Sequence, residues 1–127
     1  MRRAITKPEA ASLRPALLTK SVLRARGHLG ISQAGLAKIL GLSPATVSRM
    51  ASGAYILDPV KKEWDHAALL VRLFRSLDSI VGSDDNTAQA WLGSQNRGLN
   101  GIPLELIQRT EGLVRVVQYL DAARGRI

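Results

Sequence analysis

Ser32-Gln33-Ala34-Gly35-Leu36-Ala37-Lys38-Ile39-Leu40-Gly41-Leu42-Ser43-Pro44-Ala45-Thr46-Val47-Ser48-Arg49-Met50 decides how this chain is read. Ser32 is placed to cap a helix with its hydroxyl, and Leu36, Ala37, Ile39 and Leu40 follow at helical spacing. Gly41 ends that helix, because glycine enters the left-handed backbone region without a Cβ clash. Ser43 then caps a second helix, Pro44 fills its first turn where an N–H has no partner to lose, and Gly53 closes it. Small Ala37, with Leu36, Leu40, Leu42 and Val47, meets the requirement of two short helices crossing at about 90 to 120°. Gly35 departs from this pattern, since glycine inside a helix costs roughly 1 kcal/mol.

Outward from this segment, charge is distributed unevenly. The 127 residues carry a net charge of +8. Residues 1–54 hold nine lysines and arginines against Glu9 alone, whereas residues 55–127 hold nine of each sign. The positive field therefore belongs to the first half, as expected of a module that binds a polyanion joined to a neutral second module. On its free side the second helix of the pair presents Pro44, Ala45, Thr46 and Ser48, which allow close approach to a major groove, and the long cation Arg49. An exposed helical arginine is as often a solvated group; the position of Arg49 favours recognition. Arg24 and Arg26 are candidates for phosphate contact or, alternatively, for balancing the end of their own helix.

Several classes of chemistry are disfavoured. With no cysteine and two histidines, the chain offers no disulfide framework, thiolate zinc site or cysteine nucleophile, and no metal or cofactor is expected. His28 and His66 stand apart from any nucleophile or carboxylate pattern and read as ordinary residues, so no catalytic residue is expected and the chain reads as not an enzyme. Apolar runs such as Ala67 to Val71 are too short to span a bilayer, and Met1-Arg2-Arg3 leads into Thr6, Lys7, Pro8 and Glu9 without an apolar secretory region; a cytoplasmic protein is expected.

Aromatic and β-branched alternation is nearly absent, so the spacing predicts an all-α protein. Residues 1–14 read as a flexible arm, 15–58 as the helix-turn-helix domain and 59–127 as a second helical domain. Pro15 is expected in the first turn of a helix with Leu17, Leu18, Val22 and Leu23 on its apolar stripe. Beyond Asp58-Pro59, Trp64, Ala67, Leu70, Val71, Phe74, Leu77 and Val81 mark one face of a long helix, and Leu69, Leu73 and Ile80 a second, so burial on two sides is expected. Asp85 or Asn86 is expected to cap a short helix holding Trp91 and Leu92, both read as core. A polar loop, Gly93 to Gly101, a short helix from Pro103 and a final helix capped by Thr110 complete the chain, with Arg124 to Ile127 as an exposed tail.

The paired helices resemble the Xre or Cro/CI type of helix-turn-helix over about residues 17–53. The resemblance implies that Gln33 contacts the DNA backbone and braces the reading helix, and that Ala45, Thr46, Ser48 and Arg49 face the bases, with Ser43 and Pro44 at the helix start. In the second half, Trp91-Leu92, the loop Asn96-Arg97-Gly98-Leu99-Asn100-Gly101, Pro103-Leu104-Glu105-Leu106 and Glu111-Gly112 before a valine-rich helix occur in order. Together they resemble the toxin-binding domain of the Xre antitoxins paired with RES-domain toxins, the MbcA/ParS/Xre group. This resemblance implies a bacterial type II antitoxin that inhibits a cognate RES-domain, NAD-degrading toxin by blocking its active site, and a homodimer that binds operator DNA to regulate its own operon. Asn96, Arg97, Tyr119, Arg124, Arg126 and Ile127 are the residues expected at the toxin, with the Ile127 carboxylate in an anion site meant for the dinucleotide. The Asn96 to Gly101 loop reads equally as a plain connection. The alternative is a stand-alone helix-turn-helix repressor whose second half dimerises or senses a ligand.

Overall fold

The computed structural model describes residues 2–125, with side chains from residue 13 onward. Among these residues the chain forms seven helices and no strand: α1 (Arg2–Leu29), α2 (Gln33–Leu40), α3 (Pro44–Ser52), α4 (Lys62–Ile80), α5 (Asp85–Leu92), α6 (Pro103–Leu106) and α7 (Thr110–Gly125). The predicted all-α class holds. Helix α1 starts at Arg2, so Pro15 lies in its interior and not in its first turn. The Pro15 carbonyl accepts the Thr19 hydroxyl at 2.7 Å. Val22, Ala25 and Leu29 form the buried stripe of α1, while Leu18 and Leu23 are half-buried and Leu17, placed on that stripe by its spacing, is 61% exposed.

The helix pair forms as its punctuation dictates. The Ser32 hydroxyl accepts the Gly35 amide at 2.9 Å, and the Ser43 hydroxyl accepts the Thr46 amide at 3.1 Å. Gly41, at φ +70°, turns the chain between the helices. Leu36, Ala37, Ile39 and Leu40 from α2 and Val47 and Met50 from α3 are buried together. Gly35 has a local reason: a Cβ there would meet Ile31 at 3.1 Å and the capping Ser32 hydroxyl at 3.3 Å. The helix-propensity loss of roughly 1 kcal/mol is set against a crowded first turn.

Helix α4 is the spine. It packs most extensively against α7 and also against α1, α2 and α5, burying Ala67, Leu70, Val71, Leu73, Ser76 and Leu77. Leu69 and Ile80 are half-buried, so the expected second apolar face is only partly covered. Its own beginning is tied to the helix pair through Glu63, a buried carboxylate that accepts the Tyr55 hydroxyl at 2.6 Å and the Asp58 amide at 2.9 Å. Nearby, the Thr19 hydroxyl accepts the Leu57 amide at 3.0 Å. These bonds fasten the loop after α3 to α1 and α4.

Hydrogen bonding to Glu63 favours the neutral phenol of Tyr55, and burial adds to it, so its pKa is pushed up to about 12 from 10.0. The stability contributed by this pair is present in full below pH 10 and lost as pH climbs through about 12. Phenolate absorbance followed in Tyr119→Phe, where Tyr55 is the remaining tyrosine, should therefore have a midpoint near 12. Glu63→Gln should move it toward the ordinary value. A Tyr55 midpoint at 10 would show that the hydrogen bond does not hold the proton.

Two caps differ from expectation. Asp84, not Asp85 or Asn86, caps α5 by accepting the Asn86 amide at 3.1 Å; Asp85 is the first residue of the helix and pairs with His28 at 2.9 Å. Thr110 is the first residue of α7, and its hydroxyl pairs with His66 Nε2 at 3.0 Å; the carbonyl of the preceding Arg109 accepts the first helical amide, from Leu113.

Candidate DNA-reading and partner-binding faces

On α3 the sequence places polar groups at positions 43, 46 and 49, and helical spacing stacks them along one side. The Ser43 hydroxyl lies 2.9 Å from Thr46 Oγ1, which accepts Nη2 of Arg49 at 3.0 Å. One of the five guanidinium donors is thereby spent on orientation, and the rest of the fork lies on an exposed side chain. Pro44, Ala45 and Ser48 are exposed on the same helix, whose opposite side is sealed by Val47 and Met50. Gln33 is exposed in the first turn of α2. The structure thus brings Ser43, Thr46 and Arg49 into one array and leaves Gln33 outside that hydrogen-bonded chain.

Arg26 is half-buried and partly committed at the end of its own helix. Its Nη1 donates to the Ile31 carbonyl at 2.7 Å, closing the turn at the end of α1, and its Nε is buried. Arg24 is exposed. His28, read as an isolated residue, is instead a cross-link: it pairs with Asp85 and stacks on Phe74 at 5.1 Å, while its carbonyl accepts Nε2 of Gln89 at 3.0 Å. These contacts join α1 to α4 and α5. Among the described residues no group of three or more histidines, cysteines, aspartates or glutamates could hold a metal ion, and no helix is long and apolar enough to cross a membrane.

In the second half, Asn96 builds its own loop. Its backbone pairs with Gly101 at 2.8 and 3.2 Å, and its Oδ1 accepts the Leu99 amide at 3.0 Å. Leu99 plugs into the core, and the Arg115 guanidinium donates to the Leu99 carbonyl at 2.9 Å. Arg97 stands exposed at the tip. Tyr119, 38% exposed, lies over Gly98 and stacks on Trp91 at 6.2 Å. A Cβ at Gly98 would come within 2.7 Å of that ring, so a side chain at residue 98 would require the Tyr119 ring to move aside. Leu92 is core as expected, whereas Trp91 is half-buried and forms, with Tyr119 and the neighbouring Arg97, a surface face.

Arg124 is placed elsewhere. Tyr119 and Arg124 are five residues apart, about 140° around α7: Tyr119 lies at one edge of the buried stripe, whereas Arg124 continues the line of Val117 and Leu120 toward the helix end. Arg124 donates to the Ser76 hydroxyl at 3.4 Å, beside α4. Arg126 and Ile127 lie outside the described residues. Sequence reasoning passed over Arg115 and Gly112, which shape this face; the Glu111-Gly112 pair was visible as a motif, but its steric reason needs the path of α6.

Comparison with known proteins follows the same division. The antitoxin Xre-like helix-turn-helix domain matches residues 8–72. The antitoxin Xre/MbcA/ParS C-terminal toxin-binding domain matches residues 76–126. A search of curated proteins finds no match. Among solved structures, a chain of the crystal structure of the M. tuberculosis MbcT-MbcA toxin-antitoxin complex is similar in fold, with a TM-score of 0.66 at 24% identity over 87% of this chain and 96% of that one. The two domains match in this order along nearly the whole chain, and the chain belongs to the Xre/MbcA/ParS family of antitoxins.

Proposed function

We propose that this antitoxin binds and inhibits a cognate RES-domain toxin that degrades NAD⁺, by covering the toxin's active site, and that it binds operator DNA through α3 to regulate its own operon. What carries the reading is the order of the two matched domains, DNA-reading fold first and toxin-binding fold second. Residues 15–58 serve as the DNA-reading unit and residues 59–127 as the inhibitory unit. The protein acts in the cytoplasm and does no chemistry of its own. On DNA it works as a homodimer, with half-sites about 34–36 Å apart. Leu13 and Leu17, 59% and 61% exposed one turn apart on α1, are suited to such self-association.

At the toxin, Tyr119 and Arg97 form one contact face, and Arg124, Arg126 and Ile127 are the residues assigned to the cleft. The Asn96 side chain supports that face from within by holding the loop. The test uses the antitoxin with the product of the adjacent gene. NAD⁺ consumption by the mixture should be abolished by the full chain and restored when residues 124–127 are deleted, with the deleted form still melting cooperatively. Undiminished inhibition after the deletion would remove the tail from the mechanism. A neighbouring gene product that consumes no NAD⁺, together with retained promoter binding, would favour a stand-alone repressor.

A further inference from the structure

Beyond the faces described above, α1, α4 and α7 enclose a groove of about 520 Å³ on the flank of the spine. Three arginines line it, Arg72, Arg75 and Arg124, against one carboxylate, Asp121. Two of these guanidiniums are anchored by one edge. Arg72 Nη2 lies 2.7 Å from Asp121 Oδ2, and Arg124 Nη1 donates to the Ser76 hydroxyl, which itself donates to Asp121 Oδ1 at 2.9 Å. Ser76 is fully buried, so the anchor belongs to the core and not to a mobile surface. Arg75 forms no ion pair among the described residues.

Each guanidinium offers five N–H donors in a planar fork, and anchoring spends only one or two of them. Three like charges gathered in one groove repel unless an anion joins them, and Asp121 offsets only one. Guanidinium forks match phosphate oxygens in spacing and hold several of them at once. The remaining wall includes Leu18 and Val71, an apolar surface beside the cationic one. A groove of this volume is of the size that accepts a small-molecule ligand.

We propose that this groove is a binding site for a polyphosphate, either free or carried by a nucleotide. The phosphates sit against Arg75 and Arg124, with Arg72 held ready by Asp121, and a nucleoside, when present, lies on Leu18 and Val71. Because Leu18 comes from the DNA-reading half and Arg124 from the toxin-binding half, an occupant ties the two together. The site is separate from the Arg49 array and from the Tyr119 face, and shares Arg124 with the tail proposed at the toxin.

The test is calorimetric titration of the full chain with pyrophosphate, ATP and adenosine at low ionic strength. Pyrophosphate and ATP should bind saturably and raise Tm with concentration, and adenosine should not bind. Arg75→Glu, a change at an exposed side chain, should weaken both anions about tenfold or more. The Lys61→Gln, Arg109→Gln pair, which removes as much charge elsewhere on the surface, should leave binding unchanged. Tighter binding of ATP than of tripolyphosphate, titrated in parallel as the anion with the same three phosphates, identifies a nucleotide as the carrier; equal or weaker binding identifies the free polyphosphate. The proposal is overturned if neither anion saturates, if Arg75→Glu binds like the parent, or if the surface pair weakens binding equally. Loss of duplex DNA binding by Arg75→Glu without any binding of the small anions would overturn it in favour of a DNA-backbone contact.

Discussion

Replacing Gly112 by alanine should destabilise the protein by about 3 kcal/mol or more, at or beyond the upper end of ordinary overpacking. A Cβ at this buried position would be driven into the carbonyl of Leu106, a backbone group that cannot swing aside as a side chain does. Relief requires α6 and α7 to separate. That separation would open the packing of Ile107, Leu113 and Val116, which are all fully buried. For a domain of this size the loss corresponds to roughly 10 °C or more in Tm. Gly27→Ala is the matched control, because Gly27 also lies in a helix but has nothing within 4 Å of a built Cβ. Helix propensity alone then acts, and a gain of up to about 1 kcal/mol is expected. Urea unfolding of the two variants would decide the matter; equal midpoints would show that α6 and α7 have room that the geometry denies.

Arg49→Ala carries the second large effect, on the DNA reading proposed above. Arg49 is held by Thr46, which is in turn linked to the capping Ser43, so its fork is oriented before any duplex arrives. Loss of a bidentate base contact is worth about 1–3 kcal/mol, and operator affinity should fall roughly tenfold to a hundredfold. Fluorescence titration of a promoter duplex at several salt concentrations would measure it. A base-reading role predicts loss of preference at one operator position with little change in salt dependence. A phosphate contact predicts uniform weakening and a salt slope smaller by about 1. Parent-level affinity in Arg49→Ala would exclude Arg49 from both roles. Thr46→Val, which removes the hydroxyl but keeps the branched shape, should produce a smaller loss by freeing the Arg49 side chain.

Much of this architecture is legible in the residues, because its signals are local. Ser32, Gly41, Ser43, Pro44 and Gly53 fix the beginnings and ends of α2 and α3 through caps and turns that depend on a few neighbours. Apolar spacing likewise exposes α4. The errors fall at helix starts, where several neighbouring residues suit a cap and the backbone decides among them. Asp84, Asp85 and Asn86 are all cap types, and α5 begins at Asp85, which leaves the cap to Asp84 and the Asp85 carboxylate to His28, fifty-seven residues away. Thr110 is likewise the first residue of its helix, with its hydroxyl paired to His66. Pro15 misleads for another reason: its preference for a first turn is statistical, and the helix runs through it despite the hydrogen bond its ring nitrogen cannot donate.

The residues proposed at the partner are harder to group. Chain proximity places Tyr119 and Arg124 together, yet helical rotation separates them by about 140°, one against Trp91 and the other against Ser76. The arginine groove is invisible in the sequence for the same reason. Arg72 and Arg75 are adjacent on α4, but Arg124 and Leu18 reach them only through the packing of three helices.

The boundary between the two matched domains, residues 72 to 76, falls inside α4, which runs unbroken from Lys62 to Ile80. A recombination event at that boundary would cut a rod whose one end props the helix pair and whose other end backs the terminal helix, leaving each fragment with half a keel. Shuffling of such genes should therefore exchange both domains as a unit, or splice within the loop ahead of Lys62.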